Sequence, residues 1–157
     1  MNKRMWMALV SLLGLFLGAY LTLYHFGYIG TLVCNVSSCE KVQASRWSMF
    51  LGVPVAAWGA GFYALFLALS VAGMQERFSE SVTLSLVLVL LAGWGVLFTA
   101  RLNYLEAFVI HAWCQWCLAS ATMVLLLFVL ALFDWMEQRD LRRGDTSYDE
   151  GSPLTPA

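Results

Sequence analysis

The sequence predicts an all-α integral membrane protein: a four-transmembrane-helix bundle whose outer end is capped by a loop and a short surface half-helix. Three observations carry this expectation. Of 157 residues, 61% are hydrophobic and only 12% charged, with mean hydropathy +0.72, about half the charge of an ordinary soluble domain. The apolar residues gather into four runs of about 20, each long enough to cross ~30 Å of hydrocarbon. The basic residues fall unequally on the segments that join those runs, as they do in multi-pass proteins. Net charge is −1 and pI about 6.1, so no basic field points to nucleic acid; membrane lipid is the expected surrounding.

The first helix is expected at about residues 6–26. Trp6 to Tyr24 is apolar and follows Lys3 and Arg4. Ala19-Tyr20 lacks the small-x-small pattern that ends a cleaved signal peptide, so the run is kept as a span. Residues 27–52 form the outer cap. Within it, Cys34-Asn35-Val36-Ser37-Ser38-Cys39 is a turn-forming hexamer. The stretch Ser45 to Gly52 then predicts a short surface helix with Ser45 as N-cap, Gly52 as stop and Pro54 opening the next helix.

The second helix is expected at about 53–73, the third at 82–102 and the fourth at 112–135, which makes residues 1–136 one membrane domain. Residues 137–157 turn polar and predict a disordered cytoplasmic tail. Four spans place both termini on one side. Lys3, Arg4, Arg77, Arg139, Arg142 and Arg143 lie on that side, and Lys41, Arg46 and Arg101 on the other. The excess puts the termini in the cytoplasm and every cysteine on the outer, oxidising face of the plasma (inner) membrane.

Helix 2 is rich in small residues, with Gly59 and Gly61 among Ala56, Ala57 and Ala60. Such residues permit close helix packing or leave room for a flat ring. Trp58 and Trp94 could line a ring-binding cavity, but tryptophans in a span are more often packing or interface residues.

The chemistry is expected from four cysteines in two close pairs. Cys114-x-x-Cys117 opens helix 4, where the positive end of the helix dipole favours a thiolate. Cys34-x4-Cys39 lies in the loop on the same side. Two neighbouring pairs can relay electrons by thiol exchange. As staples they would do little, since closing so short a ring as Cys34 to Cys39 stabilises by only roughly 2 kcal/mol. Zinc would need all four thiolates on one tetrahedral site, which an oxidising face disfavours; no metal is expected. His111, three residues before Cys114, is either a modulator of that thiol or a solvated loop residue. Glu106 and Arg101 are either proton-passing groups or an exposed charge pair.

These residues resemble the membrane vitamin K epoxide reductase family. The resemblance rests on Cys34 and Cys39 in the first outer loop, Val42, Ser45-Arg46-Trp47, Gly52, Pro54, Gly59 and Tyr63, and Cys114-x-x-Cys117 opening helix 4. It covers residues from about 8 to 135. It implies a four-helix bundle around a quinone, menaquinone or ubiquinone, with Val55, Trp58, Gly59 and Ala121 beside the ring. It also implies an order of exchange in which a reduced partner attacks Cys34, Cys39 exchanges with Cys114, and Cys117 delivers electrons to the quinone. Ser45 matches the family's loop serine, placed near the reactive sulfur or the ring oxygen.

Two positions depart from the animal members: Ala121 stands where they have tyrosine, and Val55 where they have an amide side chain. Without those donors a bacterial-type thiol:quinone oxidoreductase is the better expectation than an epoxide reductase. Many bacterial members carry a fused thioredoxin-like domain and this sequence does not, so the expected partner is a separate extracytoplasmic thioredoxin-like thiol oxidase. The alternatives are a vitamin K epoxide or quinone reductase and, from another class, a structural or zinc-binding membrane protein.

Overall fold

A computed structural model describes residues 3–31, 39–75 and 81–150, with the side chains of 145–150 left aside. Helix α1 is Lys3–His25, followed by a five-residue helix α2, Cys39–Gln43. A single 3-10 turn, Arg46–Ser48, leads into strand β1, Met49–Phe50, which pairs antiparallel with β2, Val53–Pro54. Helix α3 is Val55–Ala72 and α4 is Val82–Leu105, prolonged by a π-helical turn Glu106–Ile110. Helix α5 runs from Gln115 to Glu150. The stretches Lys3–His25, Val55–Ala72, Val82–Ile110 and Gln115–Gly144 are each long and apolar enough to cross a membrane. The expected four-helix membrane bundle is the observed one.

Helix α1 packs along α3 and α5, and α5 packs along α4. The α1–α3 seam is close because Gly18 brings the backbones together: a Cβ there would lie 3.0 Å from the Ala60 backbone. Gly14 makes room for the ring of Tyr63 in the same way. The main core combines Met7, Tyr63, Phe66, Leu88, Ala92, Val124, Leu127 and Ala131. Hydroxyls inside the spans donate back to the carbonyl four residues earlier, as Ser11 does to Met7 and Thr99 to Gly95, both at 2.7 Å. Each of these hydroxyls thereby satisfies its donor within its own helix. By contrast α3 and α4 touch little, and the space between them matters below.

The ends of the elements depart from expectation in three places. The half-helix expected over Ser45–Gly52 is only the turn Arg46–Ser48, because the chain then doubles back as a hairpin on Leu51 and Gly52, at φ 54° and 79°. Paired positive φ values suit the tight turn of a two-residue hairpin. That hairpin takes Val53 and Pro54 out of helix 2, which begins at Val55. Second, Ser45 does not cap by its side chain; its hydroxyl donates 2.7 Å to the Val42 carbonyl and closes α2 instead. Third, residues 137–150, expected as disordered tail, continue α5. Glu137 pairs with Lys3 there, and the Arg139 guanidinium lies 5.4 Å from the centre of the Trp135 ring. Strong helix formers with a tertiary anchor extend a helix past the membrane edge. Residues 151–157 of the expected tail, Arg77, and residues 34–38 of the turn hexamer, Cys34 among them, lie outside the described residues.

Candidate functional site: a dithiol at the mouth of an apolar cavity

The sequence Ile110-His111-Ala112-Trp113-Cys114 breaks the helical run between α4 and α5. His111 takes φ 52° and ends the π turn, and the Ala112 N–H returns 3.1 Å to the Glu106 carbonyl. Cys114 then stands at the start of α5, its carbonyl accepting from the Leu118 N–H at 3.0 Å. The Cys114 sulfur occupies the position of a capping oxygen, within reach of the Cys117 and Trp116 N–H groups. A free thiol there is held below its ordinary value, chiefly by the Cys117 thiol that hydrogen-bonds to it, while burial and the nearby Glu106 charge push the other way. Cys114 thus carries more thiolate at neutral pH than an unfolded cysteine, and thiolate is the reacting form. Titrating the 240 nm thiolate absorbance of the reduced chain, with Cys114→Ser subtracted, should give a midpoint below that of a free cysteine; a midpoint at or above it would contradict this placement.

Cys114 is fully buried in a second core cluster with Leu21, Cys39, Val42 and Ala112, bordered by Tyr20, Tyr24, Trp116 and Cys117. Three of the four sequence-predicted cysteines therefore meet in one place. Cys39 is disulfide-bonded and Cys114 and Cys117 are free thiols. The Cys39 sulfur is thus oxidised and the Cys114/Cys117 pair reduced. The Cys39 bridge also withdraws one of the four thiolates that a zinc site would take.

On its other side the dithiol meets a cavity of about 1080 Å³ between α3 and α4, roofed by the outer cap. Cys117 lines it; Cys114 does not. Of the predicted ring-side residues, Val55, Trp58 and Gly59 line the cavity, and Ala121 is not part of its wall. Ser45 faces it too, beside Trp47. Phe50 of the hairpin closes the roof, edge-on to Trp58 and Phe98 at 6.2 and 5.9 Å, with the Trp58 indole N–H donating 3.2 Å to the Phe50 carbonyl. Tyr63 forms the floor, its hydroxyl 2.9 Å from Ser120 Oγ. Trp94 and Leu97 belong to the wall and are also largely exposed on the bundle surface, so the cavity opens sideways between α3 and α4. Wide apolar walls with a few polar groups are the usual make-up of a site for a flat apolar ligand.

The polar groups sit at the dithiol end. Glu106 is 3% exposed; its Oε2 accepts from the Cys114 N–H at 3.1 Å and its carboxyl reaches the Cys117 thiol. Asn103, one turn earlier, lines the cavity with a buried Oδ1 that has no partner. Arg101 is exposed at the mouth and forms no salt bridge with Glu106 among the described residues. His111 is exposed and is not among the groups that perturb Cys114. Asn103 is the residue that the sequence reading missed. Its signal was a lone amide in an apolar run, three positions before a carboxylate and therefore on the same helix face.

The sequence profile of the vitamin K epoxide reductase family matches residues 5–132. This chain belongs to the vitamin K epoxide reductase family. A search among curated proteins finds no match. The family's members are membrane oxidoreductases that act on quinones or vitamin K, and the site offers what such chemistry uses: a dithiol at a helix start, with one sulfur in the wall of an apolar cavity.

Proposed function

We propose that this chain reoxidises a separate extracytoplasmic thioredoxin-like thiol oxidase and passes the electrons through Cys34/Cys39 and Cys114/Cys117 to a membrane quinone, menaquinone or ubiquinone. It works in the plasma membrane with both termini cytoplasmic and the cysteines outside. The observation that carries this reading is the division of labour within Cys114-x-x-Cys117: Cys114 shares a buried cluster with Cys39, and Cys117 is in the cavity wall. A dithiol so placed reaches a disulfide on one side and an apolar acceptor on the other. The partner's two thiols become a disulfide as the Cys34/Cys39 bridge is opened. That dithiol then reduces the Cys114/Cys117 disulfide, and the two electrons and two protons finally convert quinone to hydroquinone.

The sideways opening at Trp94 and Leu97 suits an acceptor that arrives through lipid with a long apolar tail. The test uses the purified full chain, a reduced thioredoxin-like protein and a short-chain soluble benzoquinone. Loss of quinone absorbance should match partner thiols consumed at one quinone per two thiols. Quinone loss without the protein thiols, or thiol loss without quinone, would rule the reading out.

A further inference from the structure

Among the described residues the carboxyl of Glu106 is bonded to groups of the dithiol. It is buried, the Cys114 N–H donates to it, the Cys117 thiol touches it, and no cation pairs with it among the described residues. A buried carboxylate without a cation is unfavourable unless hydrogen bonds compensate, and here those bonds come from the dithiol itself. A group of that kind in contact with a thiol that must lose its proton is a proton acceptor in the right place. It also opens a π turn, a rare distortion that is frequent at functional sites.

The second observation is independent. The Oδ1 of Asn103 is buried and unpartnered, and it faces the same cavity from the same face of α4. An orphaned buried acceptor is unfavourable until a ligand supplies the donor. The hydroxyl of a bound hydroquinone is such a donor, and the amide N–H2 of the same side chain can meet the carbonyl of a bound quinone. Cys117, Glu106 and Asn103 therefore surround one end of the cavity with a sulfur, a proton carrier and an oxygen-binding amide.

We propose that Glu106 carries a proton from Cys117 to the ring oxygen and that Asn103 holds that oxygen in place; this rests on the quinone reading above. In balance, the Cys114 and Cys117 S–H bonds are lost and one S–S bond forms. The electron pair passes to the quinone, whose two oxygens each gain a hydrogen. The Cys117 proton travels by way of the Glu106 carboxylate to the oxygen at Asn103. The Cys114 proton leaves to water at the outer mouth, and the far ring oxygen takes its proton from water. Glu106 ends as it began.

Glu106→Gln keeps an oxygen to accept from the Cys114 N–H and removes the titrating group. With the full chain in detergent and a short-chain benzoquinone, kcat for quinone reduction should fall roughly 100-fold with KM within about twofold, the size expected for one general acid–base group. Asn103→Leu should do the reverse, raising KM several-fold with kcat little changed. A third readout needs no quinone. Removing the Glu106 charge should move the 240 nm titration of Cys114 to lower pH, because that charge opposes the Cys114 thiolate. The other titratable groups in the cluster around Cys114 are Cys117, Cys39 of α2 once its bridge is reduced, and Tyr20 and Tyr24 of α1, and all stay in place in the variant. A Glu106→Gln chain that reduces quinone within threefold of wild type, or whose Cys114 titration does not move, overturns the proton assignment alone. A wild-type chain inert toward quinone overturns the functional reading beneath it.

Discussion

Replacing Cys117 by serine should lower quinone reduction by roughly 1,000-fold or more, as removal of an essential nucleophile does. The change is nearly isosteric, and Cys117 is a wall residue of the cavity rather than part of the main core, so the bundle should remain folded. Serine can neither form the Cys114 disulfide nor release electrons to a ring. Cys114 keeps its place at the start of α5. With the resolving sulfur gone, attack by Cys114 on the outer disulfide stops at a mixed disulfide. Non-reducing gels with alkylated samples should show that trapped bond in Cys117→Ser and lose it in the Cys114→Ser/Cys117→Ser double variant. Full quinone turnover in Cys117→Ser would remove the electron path drawn here.

Much of this arrangement was legible in the sequence, and the reasons are physical. A membrane span demands about 20 apolar residues in a row, so four such runs fix the bundle. Short-range spacing fixes Cys114 and Cys117 at a helix mouth, since both lie within one turn of where the apolar run begins. What was not legible depends on contacts between segments far apart in sequence. The hairpin at Leu51–Gly52 takes two residues from helix 2 because Met49 and Phe50 find Pro54 and Val53 across the turn. The continuation of α5 past residue 137 brings Glu137 to Lys3, more than 130 residues away, a contact that no local pattern announces. The cavity wall follows from α3 and α4 standing apart, which is why Val55, Trp58 and Gly59 reach it while Ala121, chosen by position along helix 4, does not. Asp134 is the plainest omission. A lone acid in an apolar run marks an unusual site in any span, yet its partner could not be named without the fold.

That partner is Arg4, and breaking the pair should destabilise the bundle by about 3–5 kcal/mol. Both residues are 5% exposed, at the end of the bundle away from the cysteines. The Arg4 Nε donates to both Asp134 oxygens at 3.2 and 3.3 Å, and one terminal nitrogen donates to Asp134 Oδ2 at 3.2 Å. The same guanidinium donates to the Gly73 carbonyl, left open where α3 ends, and at 3.0 Å to Ser85, whose hydroxyl donates to Asp134 at 2.6 Å. One side chain of α1 is thus bonded to α4, α5 and the end of α3. Arg4→Met leaves a carboxylate, a carbonyl and a hydroxyl short of donors in a place water reaches poorly, and each such group is costly. The pair itself need not be worth that much, because desolvating two charges offsets most of their attraction. Arg4→Met and Asp134→Leu should therefore each lower the unfolding midpoint in a detergent–SDS titration sharply, and the double variant should recover most of the loss. A double variant as unstable as the sum of the two would show that the charges are a net source of stability rather than mutual compensation. Quinone affinity should be unchanged in any variant that remains folded, since the clamp and the cavity mouth occupy opposite ends of the bundle.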